Sequence, residues 1–399
     1  MDYINKAFIE VAVALIFSMG GILSGRVFAV SSYFFVEQPW IIALYPSILS
    51  VRGDVSGILS GKLGTMLHTG RIKPRFINNT DDFYSLLKAI FMVTFIDAIS
   101  MGNLTFIISF LVGYTSLNDY PYFLIIPATT CTLATAFSMP LTIFTAFSSF
   151  RRGLDPDIIV YPIVAVLNDF LVSSSYVMVI MFTLHLGSYS LNLLACLLST
   201  ILLLLLTLSK KNFTSHVYTS TLREATPTVF LTSFDGVFGG IILASFRYSI
   251  ATRPEILVIY PVLLNALGAI GSMIGSITTT RLALGTMTPK LSSIRGLSRD
   301  IINIQFASLL IHILYGVAGF TICLATGINT NLITLTLLCI IVNITGFTII
   351  SLISFIIGIA TYNRGWDPDN FVIPLESSIA DMLGTILVVM SMKFVFTLI

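Results

Sequence analysis

The chain has 399 residues, of which 56% are hydrophobic and 10% charged, and its formal net charge at pH 7 is +2; its mean hydropathy is +0.95. A soluble domain ordinarily carries about 25% charged residues, so too little polar surface is available to keep a folded chain of this size wet. The small net charge, without interleaved basic and aromatic residues, excludes a nucleic-acid binder, and the composition predicts an all-α polytopic membrane protein with lipid as its surrounding partner.

Runs of about 20 mainly apolar residues cross a hydrocarbon core of about 30 Å, and about 11 can be laid along this chain. They cover residues 8–35, 40–67, 86–113, 122–149, 157–185, 189–209, 226–248, 255–283, 301–326, 330–361 and 371–397. The first run is too long for the apolar region of a cleaved signal, and Asp2 and Glu10 stand where such signals carry basic residues, so it is expected to remain a span. Cys131, Cys196, Cys323 and Cys339 lie in apolar stretches without CxxC spacing, which indicates neither a metal knuckle nor a disulfide framework. With the N-terminus cytoplasmic, the inner loops receive most basic residues, from Lys6 and Arg71 to Arg295, Arg299 and Arg364. The outer side receives Arg247, Arg253 and Lys393. The positive-inside rule then places the N-terminus in the cytoplasm and the C-terminus outside, in a multi-pass protein of the cell membrane.

The chain repeats itself. Tyr45-Pro46 aligns with Tyr260-Pro261, and the same register pairs Gly53 with Gly268, Thr65 with Thr280, Gly70 with Gly285 and Pro74 with Pro289. Farther on, Arg151 to Asp169 aligns with Asn363 to Asp381 through the shared skeleton RGxDPDxxxxPxxxxxxD. Two five-helix repeats are therefore expected, residues 1–187 and 223–399, joined by a connecting helix and cytoplasmic loop over 188–222. Five helices plus one connector restore the starting side, so the repeats run parallel, related by a pseudo-twofold axis along the membrane normal. Transport sites tend to lie where such repeats meet.

Within the motif, Asp155 and Asp367 fit N-caps, Pro156 and Pro368 fit the first helical position, and Asp157 and Asp369 complement the helix dipole. Helix initiation accounts for these residues but not for the last one. Asp169 and Asp381 each lie fourteen residues past the capping aspartate, roughly 21 Å along a helix, near mid-membrane. A carboxylate there costs at least about 2.5–3.5 kcal/mol, and its occurrence in both repeats points to use as a cation ligand. The alternatives are an ion pair with Arg52 or Lys62, or a protonated, hydrogen-bonding carboxyl. Small residues nearby, Ala165, Ser377 and Gly384, let backbone carbonyls and ion-borne waters come close. Oxygen donors suit a hard cation, and Mg²⁺ keeps several waters while using one or two carboxylates; the lack of His or Cys nearby disfavours zinc or copper.

The second helix of each repeat carries a small-residue stripe: Gly53, Ser56, Gly57, Ser60, Gly61 and Gly64 in one, Gly268, Gly271, Ser272, Gly275 and Ser276 in the other. Such stripes serve packing as readily as an ion path. Arg52, Asp54 and Lys62 in the first repeat correspond to Leu267, Ala269 and Ile277 in the second, so the halves differ in charge. Asp97 and Asp235, in the third and seventh spans, have no counterpart in the other half; with Asp54 they are candidates for a coupling Na⁺ or H⁺ site. Asn168, Asn265 and Gly384 complete the candidate path. Two intramembrane aspartates could also form a protease dyad. Their contexts, Leu167-Asn168-Asp169 and Ile379-Ala380-Asp381, lack the expected Tyr-Asp and Gly-x-Gly-Asp, and no HExxH or Gly-x-Ser-x-Gly occurs, so no enzyme is expected. A secondary transporter of an organic solute using the same cavity is the alternative function.

YPSILSVRGDVSGILSGKLGT and YPVLLNALGAIGSMIGSITTT, each followed by DPDxxxxPxxxxxxD, resemble the two signature regions of the MgtE-type magnesium transporter membrane domain. The tandem arrangement with an odd helix between the halves is similar to the eukaryotic solute-carrier magnesium transporters. The resemblance implies a divalent cation transporter without a cofactor, and a monomer that mimics an MgtE homodimer. It implies that Asp169 and Asp381 line a central pore around hydrated Mg²⁺, with the backbone at Ala165 and Ser377 adjoining. The residues do not separate Mg²⁺ from Mn²⁺ or Co²⁺, nor a channel from an exchanger. Only about seven residues precede the first helix, so regulation through a cytosolic sensor domain is not expected.

Overall fold

The computed structural model describes residues 11–152, 156–209, 215–364 and 368–398, and within these leaves aside the side chains at 54, 156–165, 188, 199, 201–209, 228, 231, 368–375, 377 and 398. The helix-initiating residues at 155–157 and 367–369 therefore lie outside what can be described in side-chain terms, as do the side chains of Asp54, Ala165 and Ser377. Among the described residues the chain is helical throughout, with no strand.

Eleven long helices follow one another. They are α1 (Val11–Ala29), α2 (Pro39–His68), α3 (Asp81–Val112), α4 (Tyr120–Arg151), α5 (Pro156–Leu184), α6 (Ser188–Ser209), α7 (His216–Ser245), α8 (Glu255–Ala283), α9 (Ser298–Ala325), α10 (Leu332–Asn363) and α11 (Pro368–Leu398). Among the described residues, ten are long and apolar enough to cross a membrane. The connector α6 is the other, its described apolar stretch being the shorter Tyr189–Leu198. The chain is thus an all-α polytopic membrane protein.

Local chemistry sets the helix ends. Thr80 Oγ1 accepts from the Phe83 amide at the start of α3, where Asp81 and Asp82 fill the first turn, and Gly113 closes the helix at φ 81°, a conformation in which glycine carries no Cβ penalty. Asn331 caps α10 by accepting from the Ile333 amide, and Ser215 caps α7 through the Tyr218 amide. Each cap satisfies one of the amides that a helix start leaves without a partner.

The helices sort into two compact units, Tyr33–Arg247 on one hand and Met1–Ser32 with Tyr248–Ile399 on the other. The first holds α2 to α7, and the second holds α1 with α8 to α11. In the first unit α2 packs against α3, α4, α5 and α7; in the second, α8 packs against α1, α9, α10 and α11. The first helix of each sequence repeat therefore packs with the other repeat's remaining four.

Close backbone approach makes the same contact in both units. On α1, Gly21 and Gly25 lie against α8: a Cβ at Gly21 would stand 3.0 Å from the Val262 nitrogen, and one at Gly25 would strike the carbonyls of Leu257 and Val258. On α7, Gly236 and Gly240 lie against α2: a Cβ at Gly236 would stand 2.7 Å from the Ser47 Cα, and one at Gly240 would strike the Ala43 carbonyl. Gly21 to Gly236 and Gly25 to Gly240 are both separated by 215 positions, as are Tyr45 and Tyr260. Helix association in lipid rests on this kind of small-residue contact, because apolar side chains gain nothing by leaving lipid for each other.

Candidate functional site

In each unit the second and fifth helices of one sequence repeat are joined by a buried tyrosine to hydroxyl hydrogen bond. In the first, Tyr45 Oη on α2 lies 2.9 Å from Ser173 Oγ on α5. In the second, Tyr260 Oη on α8 lies 2.7 Å from Thr385 Oγ1 on α11. The Thr385 hydroxyl donates to the Asp381 carbonyl at 2.8 Å, so the tyrosine is the donor in that pair. Ser173 and Thr385 each stand four residues after an aspartate, Asp169 and Asp381. The tyrosine of the YP pair thus fixes the helix turn that carries the acid, by the same device in both units.

The charges around the two acids differ. Asp169 is 1% exposed and ion-paired with Arg52 from α2, a buried pair in which loss of either partner leaves a costly lone charge. Beside it, Asn168 Nδ2 donates to Ser56 Oγ at 2.7 Å. A cavity of about 10 Å³, lined by Arg52, Ser56, Cys131, Thr135, Ser138 and Val172, adjoins the pair; this is close to the smallest space that holds one water. Lys62, the other basic residue within reach on sequence grounds, is turned to Glu224 at 2.7 Å.

In the second unit Leu267 takes the place of Arg52. Its side chain packs where Cβ atoms at Gly346 and Gly384 would stand, 2.6 Å and 3.4 Å away. Asp381 is half-buried, as is Asn265 on α8, and a Cβ at Gly268 would meet nothing nearer than Ala380 at 3.9 Å. The arginine that pairs with Asp169 therefore has a leucine at its equivalent place in the second unit. Asp169 belongs to one unit and Asp381 to the other.

The remaining candidates are scattered. Asp97 on α3 is 1% exposed and accepts a hydrogen bond from Ser233 on α7, so it ties α7 into its unit. Asp235 is half-buried on α7. His312 sits in a polar network between α9 and α10: its Nδ1 donates to the Ser308 carbonyl at 2.8 Å, and Asn343 is bridged by Gln305 at 3.1 Å. Among the described residues no three His, Cys, Asp or Glu side chains converge on a metal-sized site. Two features escaped the sequence reading. The glycine pairs of α1 and α7 form a repeated GxxxG spacing, and Glu376 on α11, an acid to which the sequence reading gave no role, is completely buried.

The comparisons with known proteins agree with this layout. The MgtE family, described as a divalent cation transporter, matches residues 45–179 and 260–391. Each matched segment begins at the tyrosine of the YP pair and encloses one of the two aspartates. Solute carrier family 41 member 3 of Mus musculus is 24% identical over 366 residues, covering 86% of this chain and 73% of that protein. Among solved structures, the crystal structure of eukaryotic MATE transporter AtDTX14 covers 100% of this chain and 96% of that chain at 12% identity, with a TM-score of 0.34, a likeness too weak to bear on fold or function.

Proposed function

The chain belongs to the MgtE family of divalent cation transporters, and we propose that the cation it moves is Mg²⁺, with Asp169 and Asp381 as acidic ligands of the path, one from each repeat. The observation that carries this reading is the recurrence of one device: the aspartate that ends the DPDxxxxPxxxxxxD motif of each family-matched segment, each on a helix turn held by a tyrosine to hydroxyl bond. Intramembrane acids are costly enough that a repeated one argues for function. One chain then supplies both acids that a symmetric homodimer would draw from two, in a cell membrane with its N-terminus cytoplasmic and its C-terminus outside.

The chemistry favours a hydrated, hard cation. Mg²⁺ surrenders its waters reluctantly and takes one or two carboxylates. Backbone carbonyls at positions 165 and 377, opposite the glycine-bearing helices α2 and α8, would meet those waters, with Asn168, Asn265 and Gly384 along the path. The two acids take unequal parts: with Arg52 on Asp169, reaching that carboxylate requires the guanidinium to yield.

The test is Mg²⁺ flux into proteoliposomes, read by an entrapped indicator dye. The variant carrying both Asp169→Asn and Asp381→Asn is expected to lose transport. A wild-type rate in that variant would remove both residues from the path, and competition by Mn²⁺ and Co²⁺ against Mg²⁺ measures the ion preference.

A further inference from the structure

The loop between α2 and α3, residues 69–80, is built as a platform rather than a slack connection. Gly70 closes α2 at φ 69°, and the Arg71 amide returns to the Met66 carbonyl at 3.0 Å. Ile72 is then buried. Asn79 braces the rest from within: its Oδ1 accepts from the Lys73 and Thr80 amides, both at 2.9 Å, and its Nδ2 donates to the Lys73 and Arg75 carbonyls at 2.8 and 2.7 Å. Thr80 Oγ1 donates to the Arg71 carbonyl at 2.9 Å. The end of α4 supports the loop as well, where Arg151 donates to the Pro74 carbonyl and Phe76 lies edge-on to Phe147 with ring centroids 5.5 Å apart. A backbone held in this way presents its side chains in fixed places.

What it presents is basic and apolar together. Lys73, Arg75 and Arg152 are exposed, and among the described residues none of them has an acidic partner. Of the two acids nearby, Asp82 is taken by Arg71 at 2.9 Å, which leaves Asp81 in the first turn of α3. Next to the cations the tip carries Ile77, 77% exposed, and Phe76, 42% exposed, and Asn78 turns the chain there at φ 54°. Water is a poor solvent for an apolar loop tip, and lipid tails are a poor one for a lysine; the headgroup boundary suits both. The positive-inside rule accounts for the cations alone. It asks for neither an exposed isoleucine nor a braced backbone.

The equivalent loop of the second unit shows what is particular to the first. In the register that pairs Gly70 with Gly285 and Pro74 with Pro289, Thr286 and Thr288 stand for Arg71 and Lys73, Lys290 keeps the charge of Arg75, and Ser292 replaces Ile77. There the chain folds into a 3₁₀ turn, Leu291–Leu297, fastened by Arg281 to the Gly296 carbonyl at 2.9 Å. We propose that the α2–α3 loop of the first unit docks the phosphate of an anionic phospholipid, Lys73 and Arg75 meeting the headgroup while Phe76 and Ile77 enter the acyl boundary. The loop joins two spans and so lies at a membrane surface. Its cations belong to the set that the positive-inside rule assigns to the cytoplasmic side, the leaflet that carries anionic lipid. Charge complementarity selects that lipid over a zwitterionic one. A headgroup held here lies beside the end of α4, where the RRGxDPD motif that leads to Asp169 begins. The site does not depend on which cation the protein moves.

For the test, the full chain is stripped of lipid in a neutral detergent, and thermal unfolding is followed as phosphatidylglycerol or phosphatidylcholine is added to the micelles. Phosphatidylglycerol is expected to raise the midpoint and phosphatidylcholine to leave it unchanged. Lys73→Gln with Arg75→Gln, and separately Ile77→Ser, are expected to raise the half-saturating phosphatidylglycerol fraction several-fold. Arg295→Gln with Arg299→Gln, in the second unit, is expected to leave it in place. All of these side chains are exposed, so none of the variants disturbs the packed helices. Phosphatidylglycerol retained in native mass spectrometry gives the same comparison without unfolding the protein. Equal shifts with the two lipids, no shift with phosphatidylglycerol, or loop variants that bind as the wild type does would overturn the site. So would an equal loss in the Arg295 and Arg299 variant, which marks diffuse attraction to any basic surface. Inorganic phosphate separates the sources: a shift as large as that with phosphatidylglycerol, and untouched by Ile77→Ser, makes this a free-anion site and overturns the lipid as its occupant.

Discussion

Replacing Arg52 with Gln isolates the role of the buried pair. Asp169 is 1% exposed and Arg52 11%, so the substitution strands a carboxylate in a dry interior, a loss of about 3–5 kcal/mol for a buried pair broken on one side. At about 1.4 kcal/mol per tenfold, the ratio of folded to unfolded protein falls by roughly two to three and a half decades. A ligand at 100 times its Kd contributes about 2.7 kcal/mol, so saturating Mg²⁺ recovers most of this loss if it occupies the place the guanidinium leaves. In the wild type the same ion must displace Arg52 and gains less. Thermal unfolding in detergent, followed by the fluorescence of Trp40, which is buried and stacked on Tyr122 at 4.9 Å, reads both quantities. The expected pattern is a destabilised variant with a Mg²⁺ shift larger than that of the wild type, and substantial recovery without Mg²⁺ when Asp169→Asn is added. Equal Mg²⁺ shifts in variant and wild type would show that Asp169 does not hold the ion. A variant as stable as the wild type would show that the pair contributes nothing.

Further substitutions test the frame and its asymmetry. Gly25→Ala and Gly240→Ala each push a Cβ into the facing backbone carbonyls of α8 and α2, and should lower stability by at least the roughly 1–3 kcal/mol typical of overpacking; Gly53→Ala, where nothing lies within 4 Å, is the control, and thermal unfolding the readout. Leu267→Arg gives the second unit the cation that the first already has, and Mg²⁺ flux is expected to fall more than tenfold as the guanidinium competes for Asp381, with thermal unfolding to separate this from misfolding.

Helix type and number followed from composition, because lipid leaves a spanning backbone few ways to satisfy its own hydrogen bonds. The repeat was readable because the YP pair recurs after 215 positions and the DPDxxxxPxxxxxxD motif, with its internal spacing unchanged, after 212. Which cation Asp169 would meet was not readable: Arg52 and Lys62 were both within sequence reach, but ten residues of helix point them differently, and Lys62 turns to Glu224 instead. The placement of α1 with α8 to α11, and of α7 with α2 to α5, was hidden for another reason. A glycine pair announces close helix contact but not which copy of a repeated surface receives it, and both copies offer nearly the same surface. Glu376 was visible as an acid, yet only packing reveals that it is completely buried.

The asymmetry between the units bears on how a duplicated chain can use one frame twice. The frame is common: the same glycines seat the first helix of each repeat, and the same tyrosine holds the acid-bearing turn. The charges are not. The first unit carries Arg52 against Asp169, an internally balanced pair, while the second replaces the arginine with Leu267 and adds Glu376. A symmetric homodimer cannot do this, because any arginine placed beside one acid appears beside the other and any added acid appears twice. Duplication within one chain lifts that constraint. It lets one half hold an arginine beside its acid while the other has a leucine at that place. Substitutions that re-symmetrise the halves, Leu267→Arg in one direction and Arg52→Leu in the other, are where that difference should register as altered flux.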